Sequence, residues 1–240
     1  MSLSSLLKIP QTPGFTALVG GGGKTTLMQR LAEERSSEGR PAVITTTTAI
    51  MYPKLYELAE DKETFCRILA PGKVICVGSA SDNEKVRSPG DEMLKLALSK
   101  AGRVFVEADG AKRMPAKAPA PYEPVIPEGT DSVIAVSGLD AIGYRIKDRC
   151  FRTEYVCRLL DADENTILTP EMLAILITNE EGQRKSVPEG AVFSVVLNKA
   201  DDDKRLGYAK AAAVRIRELL PGCTVLAAAL NETDCVKAVY

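Results

Sequence analysis

Short apolar runs recur along this chain, each bounded by glycine, proline or polar clusters and each followed by a segment with helical spacing. That alternation predicts an α/β fold with a mostly parallel sheet. Residues 15–19 read as a buried strand, and Leu27, Met28, Leu31 and Ala32 follow at the spacing of one helix face. Residues 42–48 are a second strand, ending in threonines; 53–69 read as short helical pieces, 73–77 as a strand and 78–90 as a polar loop. A helix over 91–101 turns Met93, Leu94, Leu96, Ala97 and Leu98 toward a core, and residues 103–110 form an apolar strand that closes on Glu107 and Asp109. Residues 131–137 and 191–197 are further strands, the second apolar without interruption, as a central parallel strand requires. Leu206, Ala209, Ala213, Ile216 and Leu220 mark a helix that Pro221-Gly222 stops, before a last strand at 224–228.

Two segments break the pattern. Five prolines fall between Pro115 and Pro127, so residues 112–127 must cross as a stiff extended loop. Residues 146–181 look mostly helical, with Thr169-Pro170-Glu171 as an N-terminal cap. The expectation is one domain over 1–240, with 146–181 as a small helical insertion covering the site.

The chemistry concentrates where strands end. Between the first strand and its helix lie Gly20, Gly21, Gly22, Gly23, Lys24, Thr25 and Thr26. Glycines let successive amides turn inward around phosphate oxygens, a lysine reaches the terminal phosphates, and Thr25 offers a hydroxyl to Mg²⁺. Leu18 stands where the commonest phosphate loop has glycine, leaving the shorter G-x-x-G-K-T-T form seen in the Mur ligases. Glu107 and Asp109 fall on one side of their strand, where a carboxylate can hold Mg²⁺. Thr48, at the end of the second strand, is a further candidate for the ion. Lys112, Arg113 and Lys117 leave that same edge on the proline-rich loop and are expected to meet an anionic small molecule or the transferring phosphate, with Tyr122 and Glu123 orienting it. Asn198, Lys199 and Asp201 form Asn-Lys-x-Asp after the apolar strand, the spacing by which GTP-binding proteins recognise guanine: the asparagine braces loops, the lysine packs along the base, and the aspartate accepts from it. Ala229 and Leu230 lie where such proteins put a base-contacting loop. Lys24, Glu107, Asp109, Lys112 and Lys117 are therefore the candidate catalytic groups, and Thr25, Thr48 and Asp109 the candidate metal ligands.

Composition removes alternatives. The 240 residues are 45% hydrophobic, enough to bury a full core, and a formal net charge of −1 gives no reason to expect nucleic acid or an anionic membrane. No apolar run approaches a bilayer's span, and the N-terminus lacks a leader pattern, so a cytoplasmic location is expected. There is no histidine, which excludes serine–histidine triads and histidine-based zinc sites. The six cysteines are scattered and read as small buried hydrophobes.

Gly-Gly-Gly-Gly-Lys-Thr-Thr at 20–26, the threonine-rich second strand, Val-Glu-Ala-Asp-Gly-Ala-Lys at 106–112, Lys-Ala-Pro at 117–119, Tyr-Glu-Pro-Val-Ile-Pro at 122–127, Ser-Gly-Leu-Asp-Ala-Ile-Gly at 137–143, Leu-Thr-Pro-Glu at 168–171 and Leu-Asn-Lys-Ala-Asp at 197–201 together resemble the selenium-dependent hydroxylase accessory protein family, YqeC. The resemblance implies a cytoplasmic P-loop protein that helps to mature selenium-dependent molybdenum hydroxylases, with such a hydroxylase or its maturation machinery as partner. Three functions stay open: a Mg²⁺-dependent NTPase, GTP favoured over ATP; an ATP-dependent phosphotransferase or ligase; and a nucleotide-binding recruitment module that does not hydrolyse.

Overall fold

The computed structural model describes residues 1–82 and 84–240. The chain runs α1 (Leu3–Leu6), β1 (Gly14–Gly20), α2 (Lys24–Ser37), β2 (Ala42–Thr46), β3 (Ala49–Met51), β4 (Glu57–Ala59), α3 (Lys62–Ile68), β5 (Val74–Val77), β6 (Ser79–Ser81), β7 (Lys85–Arg87), α4 (Asp91–Ala101) and β8 (Arg103–Glu107). Its second half holds β9 (Ala116–Lys117), β10 (Thr130–Gly138), a 3₁₀ turn at Leu139–Ala141, α5 (Ile146–Arg149), β11 (Cys150–Phe151), α6 (Thr153–Leu160), α7 (Pro170–Thr178), β12 (Val192–Asn198), α8 (Asp203–Leu219), β13 (Thr224–Ala228) and β14 (Val236–Val239).

Nine strands form one sheet in the order β14-β13-β12-β10-β1-β8-β2-β5-β4. All its pairings are parallel except β13 with β14. β1 sits at the centre, and all seven of its residues are buried because both sheet faces are covered. The two faces separate by the alternation of side chains along each strand. Leu18, Ile44, Phe105, Ile134, Val196 and Leu226 pack with Leu27, Met28, Leu31 and Ala32 of α2. Ala17, Val19, Val133, Ala135, Val195 and Leu197 face the other way, onto α7 and the alanines of α8, and Val43, Val104 and Val106 onto α4. Gly14–Gly20 thus delivers its carboxyl end, with those of β8 and β10 on either side, to one edge of the sheet, where ligands bind in open α/β folds.

Some elements differ from expectation. Residues 78–90 are more than a loop: β6 and β7 pair with β3 into a separate antiparallel sheet of three strands. Residues 53–69 hold β4 as well as α3, since Glu57–Ala59 pairs with β5 at the sheet's edge. Within 146–181, β11 interrupts the helices by pairing with β9. Val156, Leu168, Leu173, Leu176 and Ile177 of this segment join Ala17 and Ala209 in one buried cluster, so it packs onto the sheet itself. Cys76 and Cys150 are buried, which pushes each thiol up to about 12, the behaviour of a packing group, whereas Cys66, expected to be buried, is exposed on α3 and Cys157 is half-buried. Among the described residues no helix is long and apolar enough to cross a membrane.

Candidate functional site

The first strand ends where its glycines begin. Gly20 (φ 95°) and Gly23 (φ 136°) hold conformations that side chains disfavour, and a Cβ would fall 2.3 Å from the Val136 carbonyl oxygen at Gly20 and 2.2 Å from Asn198 Nδ2 at Gly23. Helix α2 starts at Lys24 with Gly23 as its N-cap. It has neither a capping side chain nor an acidic residue in its first turn. Its leading amides therefore have no side-chain acceptor of their own, the arrangement that favours an anion at a helix N-terminus.

Lys24 is buried at this point. Its Nζ donates to the Gly20 carbonyl at 2.6 Å and lies 3.1 Å from Asp109 Oδ1 and 3.4 Å from Glu107 Oε1. Burial penalises its charge, but attraction to Asp109, then to Glu107, and hydrogen bonds to both outweigh it, so its pKa is raised. With the folded value above the unfolded one, the stabilisation is complete below the unfolded pKa and is lost only as pH rises through the folded one; Lys24 stays charged at neutrality.

The two carboxylates divide their partners. Glu107 Oε2 accepts from the Thr25 hydroxyl at 2.7 Å. Asp109 accepts from the Gly20 amide at 3.1 Å and faces a second lysine, since Lys117 Nζ lies 3.0 Å from its Oδ2. A hydroxyl and a carboxylate oxygen in contact beside an anion-favouring helix end are hard donors suited to Mg²⁺ held through oxygens and water, so the residues fit that ion.

From Asp109 an unbroken chain of alternating charge leads away. Lys117 is fully buried and donates to Glu123 Oε2 and to the Gly110 carbonyl, each at 2.7 Å. Glu123 Oε1 in turn accepts from Arg152 at 2.8 Å. The expectation that Lys117 projects from the proline-rich loop toward a ligand is thus corrected: β9 pairs with β11 and turns the ammonium inward. Glu123, expected to orient a ligand, is likewise buried as its partner. Lys112 and Arg113 stay exposed. Phe151 and Arg152 were not singled out in the sequence. Lys112 Nζ lies 5.3 Å, Lys117 Nζ 5.8 Å and the Arg152 guanidinium 5.0 Å from the Phe151 ring centre.

The remaining candidates fall at the same edge or just beyond it. Thr48 shares a hydrogen bond with Thr46, whose hydroxyl donates to the main-chain carbonyl of Glu107, so Thr48 is tied to the backbone at the end of β8 and not to a carboxylate. Asn198 joins two loops: Nδ2 donates to the Gly22 carbonyl at 2.7 Å and Oδ1 accepts from the Leu230 amide at 3.0 Å. Lys199 pairs with Asp140 at 2.7 Å, and Asp201 pairs with Arg205 at 2.9 Å on the surface. Only the asparagine of Asn-Lys-x-Asp touches the glycine loop here.

The family model described as YqeC protein matches residues 16–154. A protein of Escherichia coli (strain K12) named "Uncharacterized protein YqeC" is 32% identical over 195 residues, covering 74% of this chain and 73% of that protein. The chain belongs to the YqeC family. The matched segment contains every charge from Lys24 to Arg152, whereas Asn198 and Asp201 lie outside it. In this YqeC protein the glycine loop, both carboxylates and the buried lysine pair thus form one unit within the segment that the family model describes.

Proposed function

We propose that this chain binds a nucleoside triphosphate with Mg²⁺ at Gly20–Thr26, with GTP favoured over ATP, and hydrolyses it as a cytoplasmic accessory factor in the maturation of selenium-dependent molybdenum hydroxylases. The observation that carries the reading is the meeting of Lys24, Thr25, Glu107 and Asp109 at an uncapped helix N-terminus. Lys24 would exchange its carboxylate partners for phosphate oxygens, and Lys117 would keep Asp109 compensated while it does so. Asn198 supports a base-side loop arrangement by tying Gly22 to Leu230. Mg²⁺ would neutralise charge developing on the phosphates.

Thr25 and Glu107 are better placed for the ion than Asp109, which is engaged by two lysines and an amide. Glu107→Gln should weaken nucleotide binding about tenfold in Mg²⁺ and little in EDTA, whereas Asp109→Asn should weaken both. Equal losses for Glu107→Gln in the two buffers would remove the ion from Glu107.

A second reading, phosphoryl transfer to an anionic acceptor, is supported by Lys112 and Arg113, which are exposed and form no ion pair among the described residues, Lys112 lying beside Phe151. Nucleotide turnover without acceptor supports hydrolysis, turnover only with an anionic acceptor supports transfer, and binding without turnover under either condition supports a recruitment module.

A further inference from the structure

Residues 110–115 leave the end of β8 and lie across the glycine loop before entering β9. The Gly22 amide donates to the Met114 carbonyl at 3.1 Å, and the Gly138 amide donates to that of Pro115 at 2.8 Å. The approach is close, since a Cβ on Gly21 would fall 2.6 Å from the Met114 carbonyl oxygen. Gly22 is one of the successive amides that a phosphate loop turns toward phosphate oxygens. A single N–H serves one acceptor with good geometry, and a carbonyl oxygen left against a phosphate oxygen is repelled. The Met114 carbonyl and a bound phosphate are therefore alternatives at Gly22.

The segment is also fitted to let go. Lys112 (φ 45°) and Arg113 (φ 64°) are consecutive left-handed residues with a Cβ, a conformation that needs its surroundings to hold it. Both side chains are exposed. The flanks are held instead: Asp109 by Gly20, Lys24 and Lys117, and Lys117 by full burial and the β9–β11 pairing. Motion is thereby confined to the stretch between them.

We infer that residues 110–115 form a displaceable strap: the phosphates of an incoming nucleotide take Gly22 from the Met114 carbonyl, and the Lys112-Arg113 turn relaxes outward. This rests on the nucleotide reading of the site. By linkage, whatever stabilises the docked strap lowers nucleotide affinity by the same factor.

Trypsin reads the difference, because it cleaves after lysine and arginine only where the chain can become extended. The protein is digested with and without saturating Mg²⁺·GTP or Mg²⁺·ATP, and cleavage after Lys112 and Arg113 is followed by mass spectrometry against Lys54, exposed in a turn, as internal reference. Binding is measured by calorimetry in the same buffer. The expected result is faster cleavage at 112–113 by about tenfold or more relative to Lys54. Binding with unchanged or slower cleavage overturns the strap and leaves the nucleotide site standing; absence of binding removes both.

Discussion

Lys117→Met should lower the unfolding free energy by about 3–5 kcal/mol, the usual loss when one partner is removed from a buried ion pair. The ammonium is wholly enclosed and meets Asp109, Glu123 and the Gly110 carbonyl within 3.0 Å. Methionine keeps most of the stem's volume, so the loss reports charge and hydrogen bonding more than a cavity. Asp109 would then be left to Lys24 and Glu123 to Arg152, each carboxylate short of one cation. Lys112→Ala, five residues earlier and exposed, should change stability by no more than about 0.5 kcal/mol. Urea unfolding of the two variants side by side checks this, and a Lys117→Met protein within about 1 kcal/mol of wild type would contradict the buried chain of charges.

Lys24→Ala should weaken triphosphate binding by roughly 10- to 100-fold, since a hydrogen bond to a charged group contributes about 1.5–3 kcal/mol and each 1.4 kcal/mol is tenfold in affinity. Lys24 also compensates two carboxylates, leaving the Glu107 carboxylate, among the described residues, with the Thr25 hydroxyl alone when it is removed. The variant should therefore melt below wild type, so affinity has to be measured by calorimetry at a temperature where it remains folded. Undiminished affinity in that folded protein would separate Lys24 from the phosphates.

Much of this was legible along the chain because local chemistry encodes it. An apolar run broken by four glycines before Lys24 has few uses other than a strand, a tight turn and a helix start. Glu107 and Asp109 both reach Lys24 as their alternation suggests, although β8 ends at Glu107 and Asp109 lies in the bend after it. Asn198 ties two loops together, Gly22 to Leu230, and local spacing does mark it as a residue at a strand end. The burial of Lys117 was not legible, because proline density predicts an extended path without saying which way a side chain points. A signal was present in its neighbours: Ala116, Ala118 and Ala120 are small, apolar and all fully buried, unlike the surroundings of a solvated lysine. Arg152 carries no local signal because its role depends on Glu123, 29 residues earlier, reached through the β9–β11 pairing. Strands β3, β6 and β7 are three residues each, too short to show a period, and they exist only by pairing across the chain.

Whether the loop from Gly20 to Thr26 holds the phosphates of a nucleotide is decided by calorimetric titration of the wild-type protein with GTP, ATP and CTP, each with Mg²⁺ and with EDTA. The expected result is saturable binding at one site per chain, strengthened by Mg²⁺ and tightest for GTP. A preference for ATP or CTP would remove the guanine assignment and leave the phosphate site intact. No binding of any of the three, by a protein that is folded, would remove nucleotide from this loop altogether.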